Sequence, residues 1–267
     1  MSERYICATC GIQLPDADAP PAACPICRDE RQYVPESGQR WTTLAELAAD
    51  HHNAFRAQGE LTGIGTEPRF AIGQRALLVP FGDTNLLWDC VTLLDAATAD
   101  EVERRGGLGA IAISHPHYYS TMVEWAQRFG CPVHLHAADR RWALRSDPAL
   151  SFWSGDTLDL GHGLTLIHAG GHFAGGTMLH RAAGAGALLS GDIVQVIPDR
   201  RHVGFMYSYP NLIPLPEARV RAMVAMLEPF SFEAIYGAWW DAIVRADGHE
   251  VVQRSAKRYL AMVSEES

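Results

Sequence analysis

Short apolar runs punctuated by glycine and charged residues dominate the chain from residue 63 onward. Runs of this length predict strands, and the longer stretches with apolar residues on one helical face predict helices. The predicted strands are residues 69–72, 76–80, 85–90, 110–114, 132–136, 156–160, 164–168, 177–181, 187–193 and 234–237. The predicted helices are about 98–105, 120–129, 217–227 and 249–263. Two strand-rich halves that each close with helices predict two sheets packed face to face, with helices outside.

The first part of the chain has a different pattern. Residues 4–33 are rich in Pro, Ala and Cys, show little hydrophobic periodicity and are too few to bury a core of their own. Thr42 or Thr43 then resembles a helix N-cap with Glu46 as its capping-box partner, which predicts a helix to about residue 54 that carries His51 and His52. We therefore expect a knuckle over residues 1–36, a linker helix within 37–61 and a main domain over 62–267.

Composition narrows the classes of partner. The chain has 267 residues, 48% of them apolar, a net charge of -9 and no run rich in Lys and Arg, which argues against nucleic acid as a partner. No apolar stretch approaches the roughly 18 residues of a membrane-spanning helix, and the first ten residues do not resemble a signal peptide. We expect a cytoplasmic protein that acts on a small molecule and avoids membranes. The oligomeric state stays open, a homo-oligomer included.

Four of the six cysteines form two Cys-x-x-Cys pairs. Cys7 and Cys10 are separated by thirteen residues from Cys24 and Cys27, and two such pairs can hold one zinc ion in a tetrahedral thiolate site. This spacing also suits a reducing compartment. The motifs Cys-Ala-Thr-Cys-Gly and Cys-Pro-Ile-Cys resemble the knuckles of rubredoxins and rubrerythrins, which hold iron. The sequence is therefore compatible with either zinc or iron in the knuckle.

A second group of potential ligands lies at predicted strand ends. His115 and His117 follow the strand 110–114, and two His separated by one residue place both imidazoles on the same side of extended backbone. His172 lies in the glycine-rich segment 170–176, where glycines allow tight backbone. Asp192 ends the strand that begins at residue 187. Three imidazoles and one carboxylate predict a site for a single metal ion.

The order of these residues resembles the metallo-β-lactamase family over about residues 62–263. His115 and His117 match the beginning of the His-x-His-x-Asp-His motif, residues 171–175 resemble the Gly-His-Thr-x-Gly loop, and Asp192 stands in the Gly-Asp strand end. Asp89 matches an Asp that supports the ligand loop from behind. The resemblance implies an α/β (α+β) fold, a four-layer αββα sandwich, here preceded by a small four-cysteine metal knuckle.

The chain departs from the family pattern where a second metal ion would bind. Tyr119 and Ser120 replace the Asp and His of the first motif, and residues 237–240, which include Trp239 and Trp240, replace the last ligand loop. The resemblance therefore implies that the second metal has lost its ligands. Trp239 and Trp240 either wall a substrate pocket or plug it.

The expected catalytic site holds one ion, with His115, His117 and His172 as ligands and an open position for water. Zinc in such a site lowers the pKa of its water to about 7. Asp192 is either a further ligand or the group that orients and deprotonates the water. Tyr119 either donates a hydrogen bond to a developing oxyanion or fills the vacated space.

Three functions are compatible with this sequence. The first is hydrolysis of an ester, thioester, lactone or related carbonyl substrate by metal-bound hydroxide. The second is sulfur oxidation by a mononuclear iron held by His115, His172 and Asp192, which resembles the persulfide dioxygenases of the same superfamily. The third is a non-catalytic binding protein whose knuckle docks a partner. The segment 200–215, which includes Arg201, Tyr207, Tyr209 and Asn211, is long and mixed enough to form a substrate-facing loop after Asp192.

Overall fold

The knuckle opens the chain in the computed structural model, which describes residues 2–264. Its two short strands, β1 (Ile6–Cys7) and β2 (Trp41–Thr42), pair antiparallel and close the segment on itself. Helix α1 (Leu44–Asp50) follows, with Thr43 as N-cap and Glu46 completing the capping box, as predicted. The buried knuckle residues Ile12 and Ile26 share one hydrophobic cluster with residues of the main domain. The knuckle is thus packed onto the domain.

Seven strands form the first sheet of the main domain, in the order of the chain from β3 to β9. The strands are β3 (His52–Gln58), β4 (Leu61–Glu67), β5 (Ala76–Phe81), β6 (Thr84–Trp88), β7 (Leu108–Ala112), β8 (Val133–His136) and β9 (Leu150–Trp153). Neighbours pair antiparallel from β3 to β6 and parallel from β6 to β9. The carboxyl ends of β6 and β7 therefore meet at one edge of the sheet.

Six strands form the second sheet, in the order β10-β11-β12-β13-β18-β19. The strands of this half are β10 (Thr157–Gly161), β11 (Leu164–His168), β12 (Thr177–Arg181), β13 (Ala187–Gly191), the ribbon strands β14 (Gln195–Val196), β15 (Val203–Gly204), β16 (Met206–Ser208) and β17 (Ile213–Pro214), then β18 (Ala234–Gly237) and β19 (Ile243–Val244). Only β13 and β18 pair parallel within this sheet.

Successive side chains along each strand point to opposite faces of its sheet and so pack into different layers of the sandwich. Leu86 and Trp88 of β6 pack between the two sheets, whereas Leu87 points the other way, into the cluster under the helices. In β13, Leu189 faces the other sheet and Leu188 faces outward. The helices that cover the two outer faces are α2 (Ala96–Arg104) and α3 (Met122–Phe129) on the first sheet, and α4 (Glu217–Leu227) and α5 (Gly248–Val263) on the second. The predicted αββα sandwich is confirmed.

The region between the knuckle and β5 differs from the prediction. The linker helix ends at Asp50 rather than near residue 54, and residues 52–58 pair along their full length with β4. His52 thus lies exposed on a strand and His51 caps the helix, so their placement on a longer helix was wrong. Strand pairing with β4 overrides the helical preference of this alanine-containing segment.

The predicted strand at residues 69–72 is also wrong. Ala71 has a φ of 50° and Gly73 a φ of 75°, so the backbone turns in the left-handed region instead of extending. The loop lies beside the candidate site described below. Among the described residues, no helix combines the length and the apolar character needed to cross a bilayer.

Candidate active site

His115 and His117 leave the carboxyl end of β7 in a single turn of 3-10 helix, Pro116–Tyr118. His115 is still extended, with φ -169° and ψ 170°, and Pro116 begins the turn with the φ that such a helix requires. Both imidazoles are buried. The strand end and the following turn therefore present two ring systems to the same space.

His172 reaches that space from the loop between β11 and β12. Gly171 before it has a φ of 84°, a left-handed conformation that strains other residues and favours glycine. His172 Nδ1 lies 2.6 Å from the carbonyl oxygen of Tyr207, which can only accept. The proton is therefore on Nδ1, and Nε2 keeps its lone pair for another partner.

The three imidazoles converge. His172 Nε2 lies 3.1 Å from His117 Nδ1, and the ring centroids of the three His are 4.9 to 5.1 Å apart. Nitrogens bound to one tetrahedral zinc at about 2.0–2.1 Å would be separated by about 3.3 Å. His115 Nε2 is buried without a hydrogen-bond partner among residues 2–264. These donors fit a metal ion, and their clustering was predicted.

Burial keeps the imidazoles neutral. It lowers the pKa of His172 to about 4. It also lowers the pKa values of His115 and His117 well below the usual range for imidazole, and the nearby His172 adds to the effect on these two. A neutral imidazole has the lone pair that a metal requires. The three side chains are therefore in the protonation state of ligands at neutral pH.

Asp192 completes the group. Its Oδ1 lies 3.3 Å from His115 Nε2, and this oxygen has no hydrogen-bond partner in the described part of the chain. The hydroxyl of Tyr209 donates to the backbone carbonyl of Asp192 at 2.8 Å and fixes the turn after β13. Burial raises the pKa of the Asp192 carboxyl to about 7. A carboxylate next to three imidazoles is thus held for metal binding or proton transfer.

A buried chain of contacts orients His115 from behind. Asp89, which follows β6, accepts a hydrogen bond from the backbone N–H of Ser114 at 2.8 Å, and Ser114 Oγ lies 2.9 Å from His115 Nδ1. Ligand imidazoles are commonly oriented through their second nitrogen in this way. The predicted supporting position of Asp89 is confirmed. The contact of Ser114 with His115 was not predicted, although Ser114 directly precedes His115 in the chain.

A cavity of about 490 Å³ opens onto His117, His172 and Asp192, and His115 lies behind them. It is lined by Thr9, Gln32, Tyr33, Arg69, Ala71, Ile72, His117, His172, Asp192, Gln195, Tyr209, Pro210 and Trp239. A volume of this order accommodates a small organic molecule. Its walls come from the main domain and from the knuckle.

The four cysteines of the knuckle form a separate cluster. Cys7 Sγ lies 3.6 Å from Cys27 Sγ, and Cys10 Sγ lies 3.6 Å from Cys24 Sγ, close to the edge of about 3.8 Å expected around a tetrahedral ion with 2.3 Å metal–sulfur bonds. All four are buried and none is in a disulfide. The predicted grouping is confirmed as a metal-capable cluster.

Gln39 ties the two halves of the cysteine cluster together. Its Nε2 donates to Cys7 Sγ at 3.0 Å, and its Oε1 accepts from the backbone N–H of Cys24 at 3.2 Å. A donor to sulfur stabilises the thiolate form. No motif in the sequence pointed to Gln39.

No protein-family model matches the chain. A protein of Bacillus subtilis (strain 168), the uncharacterized protein YmaE, is 47% identical over 268 residues, which is 98% of this chain and 97% of that protein. The chain belongs to the YmaE family. The structure of VMB-1 superposes with a TM-score of 0.61 at 11% identity and covers 80% of this chain and 99% of VMB-1.

Two further crystal structures match in the same way. The metallo-β-lactamase FIM-1 from Pseudomonas aeruginosa, in its mono-zinc form, has a TM-score of 0.58 at 14% identity over 79% of this chain and 97% of its own. A metallo-β-lactamase from Hirschia baltica has a TM-score of 0.56 at 17% identity over 77% of this chain and 96% of its own. This member of the YmaE family thus has the metallo-β-lactamase fold, as predicted.

Tyr118, and not Tyr119, faces the imidazoles in this YmaE-family chain. The Tyr118 ring centroid is 4.4 Å from that of His115, and its buried hydroxyl lies close enough to Asp192 to lower the pKa of that carboxyl against the effect of burial. Both tyrosines are buried in the cluster shared with the knuckle and neither lines the cavity, but only the Tyr118 ring lies beside an imidazole. Tyr118 shares a side with His115 because residues three apart in a 3-10 turn do so. The catalytic role of Tyr119 stays a prediction, and its burial away from the cavity favours the alternative that it fills space.

The two tryptophans have different surroundings. Trp239 lines the cavity, and its Nε1 donates to the carbonyl of Ile72 at 3.5 Å. Trp240 lies over β4, where a Cβ on Gly63 or Gly65 would come within 2.6 Å of its ring. Trp239 is thus a wall of the pocket, and the pocket is not plugged by either ring.

Three of the four residues named in the segment 200–215 lie at the site or at the knuckle beside it. Tyr209 lines the cavity and the backbone of Tyr207 holds His172, whereas Asn211 binds backbone carbonyls of the knuckle. Arg201 lies outside the cavity and is exposed. His136 stacks on His168 with their ring centroids 3.7 Å apart, and neither His136 nor His134 belongs to a metal-capable group in the described residues.

Proposed function

We propose that the chain is a metal-dependent hydrolase of an ester, thioester, lactone or related carbonyl substrate, with one catalytic ion held by His115, His117 and His172. The observation that carries the proposal is the convergence of three buried, neutral imidazoles beside Asp192, at a cavity of about 490 Å³. Three protein nitrogens leave a fourth position open, which is typical of catalytic rather than structural sites.

Zinc is the ion we propose, because three imidazoles with an open position suit it best. When bound, zinc lowers the pKa of its water to about 7 and supplies hydroxide at neutral pH. FIM-1, one of the proteins with this fold, has been crystallised in a mono-zinc form. For the knuckle we also propose zinc, in a closed structural site of Cys7, Cys10, Cys24 and Cys27.

The chain's own groups have distinct roles in this proposal. Asp192 Oδ1, which is free of hydrogen bonds in the described structure, orients the attacking water and accepts its proton. The nearby Tyr118 hydroxyl lowers the pKa of the Asp192 carboxyl and so favours its ionised form. Trp239, Tyr209 and Tyr33 offer aromatic surface to the apolar part of a substrate.

The donor set favours this function over iron-dependent sulfur oxidation. A triad of His115, His172 and Asp192 would leave His117 without a role, although its Nδ1 lies 3.1 Å from His172 Nε2, the separation expected of two nitrogens on one ion. Three imidazoles with a nearby carboxylate are better suited to hydrolysis. A purely binding role would not require neutral imidazoles converging at an open cavity.

Hydrolysis by the zinc-loaded chain tests the proposal. A panel of chromogenic esters, thioesters and lactones should contain a class that the wild type cleaves and the His115→Ala variant does not. His134→Ala is the matched control, because it removes a half-buried His outside the cluster and should keep the activity. Equal rates for the wild type and His115→Ala would contradict the proposal.

A further inference from the structure

Arg31 of the knuckle is buried beside the candidate site. Only 7% of this residue is exposed, and its guanidinium makes a bidentate pair with Asp29 at 2.5 and 2.7 Å. The same guanidinium lies 4.1 Å from the ring centroid of Phe173 and 5.4 Å from that of Trp142. A cation that is removed from water and lies over an aromatic ring is attracted by the negative face of that ring.

Phe173 carries this contact to the imidazoles. It follows His172 in the chain, and its ring centroid lies 5.2 Å from that of His172, 4.8 Å from that of His117 and 5.5 Å from that of His115. Phe173 is 1% exposed, so the ring has no freedom to turn away. Phe173 therefore packs between the Arg31 guanidinium and the three imidazole rings.

A second connection reaches the same histidine. The hydroxyl of Tyr207 donates to Glu30 of the knuckle, and the carbonyl of Tyr207 accepts from His172 Nδ1 at 2.6 Å. Ser208 Oγ donates to the carbonyl of Arg31 at 3.1 Å. The backbone that fixes the tautomer of His172 is thus itself held by two consecutive knuckle residues.

We propose that the four-cysteine knuckle is a positioning element of the three-histidine site, in which Arg31 acts on His172 through Phe173. The inference rests on the metal site of the proposed function and deepens it. Arg31 touches no reacting atom, so it is a positioning residue. The knuckle's ion stabilises the segment that carries Arg31, and so it also governs the geometry of the other site.

The test is metal affinity measured without substrate. The wild-type chain keeps zinc in the knuckle and is reloaded with Co²⁺ at the three-histidine site, whose d–d absorption reports ligand geometry. Arg31→Met should weaken Co²⁺ binding there by about tenfold and shift the absorption, with the knuckle's zinc retained. Arg31→Lys, which keeps the cation, should restore part of the affinity. Arg28→Met, an exposed arginine of the same knuckle, is the matched control and should match the wild type.

Phe173→Leu leaves the knuckle untouched and removes the intermediate ring. It should weaken Co²⁺ binding as Arg31→Met does, and the double variant should be no weaker than the weaker single variant, because both changes interrupt one path. Three results would each overturn the positioning role without contradicting the proposed metal site. They are unchanged affinity and spectrum in Arg31→Met or in Phe173→Leu, loss of the knuckle's zinc in Arg31→Met, and additive losses in the double variant. A wild type without Co²⁺ at the histidines would overturn the proposed metal site as well.

Discussion

The two candidate metal centres are built in opposite ways. The four thiols of the knuckle come from residues 7–27, are buried and form a complete tetrahedral set. The three imidazoles come from two loops that lie 55 residues apart in the chain, and two of them, His117 and His172, line a cavity. This difference shows that the spacing of the ligands along the sequence is enough to predict a closed structural site. An open catalytic site depends on the sheets that bring its loops together.

The largest effect is expected from breaking the closed site. Cys24→Ser should remove the knuckle's ion, since one thiolate of four is lost, and with it a contribution of about 10 to 16 kcal/mol to the folding of that segment. Hydrogen exchange should then become fast in residues 5–14. Cys131→Ser, which changes a buried cysteine outside the knuckle, is the control. Slow exchange in the knuckle of Cys24→Ser would show that packing alone holds the segment.

The open site should respond differently to loss of its carboxylate. Asp192→Asn should keep the ion, because three imidazoles remain, and should lower kcat by about 10² to 10³ because the water loses its proton acceptor. Elemental analysis and steady-state kinetics on the same sample measure both. If the ion leaves with the carboxylate, Asp192 is a ligand and its assignment as base fails.

A smaller effect should separate the two neighbouring tyrosines. Tyr118→Phe should lower kcat by about tenfold, since the Asp192 carboxylate loses the hydroxyl that lowers its pKa. The pKa of Asp192 then rises, so the acid limb of the pH–rate profile should move to higher pH. Tyr119→Phe should leave both kcat and the profile unchanged. Identical profiles for wild type and Tyr118→Phe would remove Tyr118 from the site.

The smallest effect concerns the tryptophans. Trp239→Phe should raise KM a few-fold, because it removes part of the pocket wall, with little change in kcat. Trp240→Phe should instead lower the free energy of unfolding by about 1 to 3 kcal/mol without changing KM, because its ring packs on the glycines of β4. A larger change of KM in Trp240→Phe than in Trp239→Phe would reverse the assignment.

Much of this architecture follows from local patterns. Residues 164–168, 177–181, 217–227 and 234–237 form the elements that their periodicity predicts, and each ligand loop lies at a predicted strand end. Hydrophobic periodicity depends on the local sequence alone, and the folded sandwich keeps the helices and strands that it predicts. The hairpin β3–β4 escaped prediction because its alanines and glycines carry weak strand preference, and only pairing between the two strands stabilises it.

The finer features of the site depend on contacts that no local pattern reveals. Tyr118 and Tyr119 are adjacent, and only the turn Pro116–Tyr118 decides which of them faces His115. Arg31 contacts Phe173, which is far from it in the sequence, so tertiary packing determines how the knuckle lies against the cavity. Gln39 reaches the cysteines for the same reason.

The most direct test is a count of ions. The chain is purified without chelators beside a His115→Ala/His172→Ala double variant, and the metals in both are measured by elemental mass spectrometry. The account predicts about two ions in the wild type and one in the variant, with zinc as the ion lost. One ion in both proteins would leave only the knuckle occupied and would contradict a catalytic metal at the three histidines, and iron as the lost ion would contradict the hydrolase in favour of sulfur oxidation.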